Sequence, residues 1–263
     1  MNATTMQQKT EARGRLYGFL ANALRFPDRD FAGKLAEPST FDGLDRAAEA
    51  HLDFDLTQAV YGARRFGCGI TLKDLEALHF LAFGHSLRGA VPPYELEYGS
   101  KDVFQMSDQL TDVGAFYGAF GMHIDPLSHE RLDHIAAQLE FMFLLCAHQA
   151  AAAEEQGAEG LQHMAVVRDA QRKFVRDHLG RWGLAFGRRL QAHASDTFLG
   201  AIGKLLEAFL VLECRLMTLP PGPAFLELRA TGTAEELLAE QACASPVPVP
   251  GSEDAADGEE DAG

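Results

Sequence analysis

Apolar residues in this chain recur at alternating steps of three and four, a spacing that suits helices and little else. Val103, Met106, Leu110, Val113, Tyr117 and Phe120 keep that rhythm, and Phe198, Ile202, Leu205, Phe209, Leu212 and Leu216 repeat it. A 3.6-residue period puts each set on one face, so both stretches read as long amphipathic helices. Shorter helices are predicted over residues 11–24, 55–66 and 72–83. Thr71 with Asp74, and Thr233 with Glu236, match the reciprocal capping pattern that opens a helix. Residues 131–153 are apolar on nearly every side, through Ile135, Leu139 and the run Phe141 to Leu145. A helix of that kind is usually the central, buried one. No alternation of period two persists, and no repeat of solenoid length is present. The expected fold is all-α.

Breakers divide the helices. Gly89, Pro92, Pro93 and Gly99 make 85–100 irregular, and Gly121, Asp125 and Pro126 do the same for 121–128. Pro220, Pro221, Gly222 and Pro223 end the last long helix. No loop has the composition of a domain linker. The chain reads as one compact multi-helix domain over residues 1–243, followed by a tail, 244–263, rich in proline, small residues and acids. Such a composition buries too little apolar surface to offset chain entropy, so the tail is expected to be disordered.

The net charge of the 263 residues is −15, with 38 acidic and 23 basic side chains, and six of the acids fall after Ser252. That balance disfavours phosphate binding and hence nucleic acid. It is compatible with a cationic partner segment, although an acidic surface also simply keeps a protein in solution. Of Cys68, Cys146, Cys214 and Cys243, none forms a CxxC pair, and Cys146 and Cys214 sit in apolar helical patterns. This usage points to a reducing compartment without structural disulfides. The polar N-terminus lacks a secretory apolar stretch, and no apolar run approaches a membrane span. A cytoplasmic location is the expectation.

Three strings stand out. Glu130-Arg131-Leu132-Asp133-His134 puts four ionisable groups where the buried helix opens. Its plain reading is helix capping, with carboxylates near the positive end of the dipole and Arg131 paired to one of them. A metal reading uses Glu130 and His134 at i, i+4 but has no recognisable third ligand. Tyr94-Glu95-Leu96-Glu97-Tyr98-Gly99 lies on the proline-rich loop. It is either a mixed polar and apolar recognition surface, or a pair of tyrosines anchoring the loop while the glutamates face water. Phe174, His178, Leu179, Trp182 and Phe186 match one helix face, where core packing is the simpler role. There is no GxSxG, HExxH, phosphate loop or dinucleotide fingerprint.

Taken in order, these strings resemble the TorD/DmsD family of redox-enzyme maturation chaperones, over roughly residues 10–215. The family's Glu-x-x-Tyr element is matched by Glu95 and Tyr98, and its Phe-Gly turn by Phe120 and Gly121. The acid-x-x-Asp-His element leading into a helix is matched by Glu130, Asp133 and His134, followed by Gln138-Leu139-Glu140-Phe141-Met142. Last comes Phe-x3-His-Leu-x2-Trp, present as Phe174, His178, Leu179 and Trp182. Leu132 and Gln138 depart from the family, which often has proline and glutamate there.

The resemblance implies a cytoplasmic, non-enzymatic, all-α chaperone. It would bind the twin-arginine leader of a molybdenum-containing oxidoreductase, or the apo catalytic subunit itself, until the molybdopterin cofactor is inserted. The cofactor would belong to the client, and the chaperone needs none of its own. Glu95, Glu97, Tyr98, Glu130, Arg131, Asp133 and His134 would form the leader site, with the carboxylates taking the arginines. Two alternatives stay open: a scaffolding subunit of a redox complex, and a helical enzyme using Asp133 and His134. Monomer and homodimer are both compatible with the sequence.

Overall fold

The computed structural model describes residues 3–84, 88–99, 103–123, 131–155 and 157–229. Glu130, the Thr233 and Glu236 pair, Cys243, Asp125, Pro126 and the acidic tail lie outside the described residues. Among the described residues the chain is helical, with no strand and only two isolated bridges. The helices are α1 (Ala3–Leu24), α2 (Arg29–Ala36), α3 (Pro38–Glu49), α4 (Phe54–Gly67), α5 (Leu72–Phe83), α6 (Val103–Ala119), α7 (Ile135–Glu154), α8 (Gly157–Phe174), α9 (Gly180–His193) and α10 (Phe198–Leu216).

Local chemistry sets the ends. Asp28, Asp53, Thr71 and Thr197 each accept the backbone N–H three residues on, capping α2, α4, α5 and α10. In the predicted Thr71–Asp74 pair the Thr71 hydroxyl also donates to Asp74 Oδ2 at 2.6 Å. Gly84 ends α5 at φ 84°, a conformation that suits glycine.

α7 is the central helix, packed between α1 and α8, while α10 packs against α9 and α4. It is long and apolar enough to cross a membrane by length and composition, yet most of that stretch is buried inside this fold. Tyr117 of α6, Phe141 of α7 and Phe174 of α8 meet in the core, with Phe141 and Phe174 centroids 4.7 Å apart. α9 and α10 touch through backbone: a Cβ on Gly203 would lie 2.5 Å from the Gly187 carbonyl oxygen. Cys146 and Cys214 are buried thiols, as their patterns predicted, and Cys68 is an exposed one.

Two differences from the sequence reading matter for the site. The Phe174 to Phe186 stretch is not one regular helix, because Val175–Leu179 forms a single π turn between α8 and α9. His178 lies on this turn, and such π bulges recur at functional positions. The string at 131–134 also does not enter the helix. It forms a turn, and α7 begins at Ile135 with His134 as its cap.

Candidate functional site

The two central strings interlock although 35 residues separate Tyr98 from Asp133. The Glu95 amide donates to the Asp133 carbonyl at 3.0 Å, and the Ile135 amide to the Pro93 carbonyl at 2.8 Å. The Leu96 amide donates to Asp133 Oδ2 at 3.0 Å. Earlier in the loop, Gly89 and Val91 donate to the carbonyls of Phe83 and Ala82, tying it to the end of α5. The segment after α10 returns to the same place, where the Gly99 amide donates to Glu227 and the Arg229 amide to Glu97.

Below the junction all four motif strings, or the helices that carry them, contribute to one buried network. Glu95 is 2% exposed, so its carboxylate requires internal partners. Gln109 of α6 donates to Oε1, and Gln138 of α7 donates to Oε2 at 2.6 Å. Trp182 Nε1 in turn donates to Gln138 Oε1 at 3.0 Å. His178, on the π turn, places Nδ1 3.5 Å from Glu95 Oε2 and Nε2 3.0 Å from Asp112 Oδ2. Tyr98 packs on Trp182 with centroids 5.1 Å apart, and burial pushes its hydroxyl well above the ordinary phenolic range.

Asp133 is fully buried and is clasped by Arg131, whose Nε and Nη2 both donate to it at 2.9 Å. This bidentate geometry is the strongest form of an arginine–carboxylate contact. Arg131 also stacks over Tyr94, with its guanidinium carbon 4.5 Å from the ring centroid. Glu97 is 8% exposed and lies 3.0 Å from Arg88 Nε, with Arg131 and Arg229 just under 4 Å away.

The structure therefore brings Glu95, Glu97, Tyr98, Arg131, Asp133 and His134 together, and Glu130 lies outside the described residues. It also corrects how they were expected to act. The glutamates of the loop do not face water, and Glu95 and Asp133 are buried among internal donors. Each is committed to internal donors that sequence spacing does not reveal. The metal reading rests on Glu130, which lies outside the described residues.

His134 caps α7 by accepting the Ala136 amide on Nδ1 at 3.1 Å. That role requires an unprotonated Nδ1, and burial lowers the pKa to about 3, with His79, Arg25 and Arg131 acting in the same direction. Burial also lowers His79 to about 4. An unfolded histidine takes up its proton near pH 6.5. Between that pH and about 3 the unfolded chain binds more protons than the folded one, so stability falls as pH falls and is unaffected above 6.5. The loss from His134 alone is on the order of 5 kcal/mol. His134→Asn keeps a capping acceptor that does not titrate, and is expected to flatten the acid limb of a stability-against-pH curve from urea unfolding. An unchanged limb would remove His134 as its cause.

Beside the junction an open groove of about 490 Å³ runs between the end of α1, α5 and the loop. Phe26, His79, Phe80 and Phe83 form one wall, with Phe26 and Phe80 centroids 5.4 Å apart. Pro93, Tyr94, His134, Arg88, Glu97 and Arg131 form the other. Phe26 is 49% exposed, Phe80 40% and the adjoining Leu81 63%. Sequence reasoning missed this wall. Its signal was the run Leu78 to Phe83, apolar on more faces than one buried side of a short helix uses. A second hollow of about 340 Å³ lies between Tyr98, Trp182 and the Pro220 to Pro223 stretch.

A family model described as nitrate reductase delta subunit matches residues 52–187, a span that holds every element of the junction except the returning segment after α10. The perchlorate reductase assembly chaperone protein of Dechloromonas aromatica (strain RCB) is 30% identical over 207 residues, covering 76% of this chain and 88% of the relative. The chain belongs to the TorD/DmsD chaperone family. In this TorD-like chain the family's strings build a buried hub, and the side chains that border the groove stand on that hub.

Proposed function

We propose that this chain is a cytoplasmic assembly chaperone for a molybdenum-containing reductase, holding the apo catalytic subunit through its N-terminal leader segment until the cofactor is inserted. The observation that carries the reading is an exposed aromatic groove set beside a rigid hub built from the family's own motif residues. Exposed apolar patches of this kind mark surfaces that bind another protein. A groove flanked by helices suits an apolar stretch of a partner, in the way amphipathic segments are recognised elsewhere. The relative's printed name, an assembly chaperone for perchlorate reductase, supports a client of the same broad kind.

The enzyme alternative loses its candidate pair on geometry. Asp133 is clasped by Arg131, and His134 has one ring nitrogen occupied by the helix backbone and a pKa of about 3. A group so far from neutrality is a weak general base. The expected result of affinity capture from the native host, followed by mass spectrometry, is the catalytic subunit of a reductase in cofactor-free form, with cofactor loading releasing it. Capture of the cofactor-loaded enzyme as a fixed complex would overturn the chaperone reading in favour of a scaffolding subunit.

A further inference from the structure

The outer face of α4 is apolar where a surface helix is ordinarily charged. Phe54 is 74% exposed and Tyr61 63%. The steps from Phe54 to Gln58, Tyr61 and Arg65 are four, three and four, so the four side chains form one solvent-facing stripe. The opposite side of α4 holds Leu56, Ala59, Val60 and Ala63 in the core. Its flanks are taken as well: Arg64 bonds Asp42 and Asp45 of α3, and Gly62 meets Ala201 of α10. Just ahead of the stripe Leu52 is 92% exposed and held at φ 53°, a left-handed conformation that leucine rarely adopts. None of these residues lines the groove between α5 and the loop. Asp55 and Arg65 are exposed at opposite ends of the face. Arg65 rests over its neighbour Phe66, and among the described residues neither charge has an ion-pair partner.

We propose that this face pairs with its own copy, α4 against α4 in antiparallel order, about a two-fold axis that passes between the levels of Ala59 and Val60. The spacing carries the choice of partner. Steps of four, three and four read the same in both directions, so turning the helix end for end lays each aromatic ring of one copy on a polar side chain of the other. Phe54 meets the Arg65 guanidinium and Tyr61 meets the Gln58 amide, each contact made twice. The charges agree with that order. Asp55 near the start of one α4 comes beside Arg65 near the end of the other, where a parallel pair would set like ends together. Leu52 reaches the far end of the second copy's α4, near Cys68. A two-fold contact uses one self-complementary patch on both subunits, and this stripe is such a patch. A single helix face with its fringe is small, so the dimer is weak, with a dissociation constant on the order of 10 μM.

Sedimentation velocity of the full chain, over about a hundredfold range of concentration spanning that constant, is expected to show monomer passing reversibly into dimer. Phe54→Ser and Tyr61→Ser remove exposed rings, so the chain keeps its helical circular dichroism while association weakens by about tenfold or more. Arg65→Glu should weaken it roughly fivefold, and Arg65→Glu with Asp55→Arg should recover most of that loss, because the exchange restores the pair. Cross-linking reads the order of the helices. In a Cys68→Ser, Cys243→Ser background, Gln58→Cys should link to its copy through a short bis-maleimide, since the two positions lie within about one turn of each other along the axis. Cys68 itself, tested with Cys243→Ser alone, should not link, since antiparallel order holds the two thiols more than about 20 Å apart. A chain that stays monomeric at every concentration overturns the proposal. A dimer that Phe54→Ser leaves intact overturns it too, as does a cross-link at Cys68 in place of one at Gln58→Cys. Capture of the apo subunit is measured on the same variants and should be unchanged, because the stripe lies outside the groove. Loss of capture by a chain that never dimerises would give this face to the client instead. Absence of capture by the unaltered chain would count against the chaperone reading alone.

Discussion

Replacing Glu213 with alanine is expected to lower stability by about 3–5 kcal/mol, a large share of the roughly 5–15 kcal/mol that holds a domain of this kind together. Glu213 of α10 is fully buried and accepts Arg13 Nε and Nη2 at 2.6 and 2.7 Å. It also accepts the Tyr17 hydroxyl at 2.6 Å. Arg13 completes its fork on Gln171 of α8 at 3.0 Å and reaches Gln149 of α7 at 3.4 Å. One carboxylate thus joins α1, α7, α8 and α10 through polar groups. Burial opposes the charge on Arg13, and Glu213 more than compensates, so the guanidinium pKa is raised. Removing Glu213 strands that charge in the core. Replacing both partners with apolar residues of similar volume removes the stranded charge and is expected to recover most of the loss. Denaturant unfolding of Glu213→Ala, Arg13→Met and a Glu213→Leu/Arg13→Met pair would check this. Additive losses in the pair would sink the account, because independent losses mean the two residues are not compensating one another.

The same network explains part of what the sequence hid. α5 and α10 were legible because apolar spacing marks both, and the Thr71–Asp74 pair marks the start of α5. α1 was predicted only from residue 11, since the stretch before it, Ala3 to Thr10, holds few apolar residues to set a period. Hydrophobic periodicity does not register a buried face that is polar. α8 was missed for that reason, as Gln171 serves the network from its buried side. At the site, the two strings and their convergence were legible, because each falls at a break beside an apolar helix. The burial of Glu95 was not. Its donors, Gln109 and Gln138, come from helices 14 and 43 residues away, and no local spacing encodes such pairings. The π turn was hidden too, because steps of four, one, three and four fit an ordinary helix as well as a bulged one.

Asp133→Ala is expected to remove both stability and client capture, and the pattern across variants decides what the family's Asp-His pair is for. Asp133, itself buried, accepts the Leu96 amide and both Arg131 contacts. Its loss leaves the Leu96 amide without its acceptor and Arg131 with only the longer 3.9 Å contact to Glu97. Each charge-assisted contact is worth about 1.5–3 kcal/mol, so a stability loss of roughly 2–4 kcal/mol follows after relaxation. Arg131 would also leave its stack on Tyr94, and the junction wall of the groove would shift with it. Phe80→Ala acts differently. Phe80 is exposed, so its removal costs little stability yet takes away part of the apolar wall, and capture should fall by tenfold or more if that wall carries roughly 1.5–3 kcal/mol of binding. Thermal unfolding and quantitative capture of the apo subunit, run on both variants, separate the roles. If Asp133→Ala kept its stability and lost only capture, Asp133 would be a direct contact that the client pulls from its buried position. If Phe80→Ala captured as well as the parent chain, the groove would lose its claim to the client.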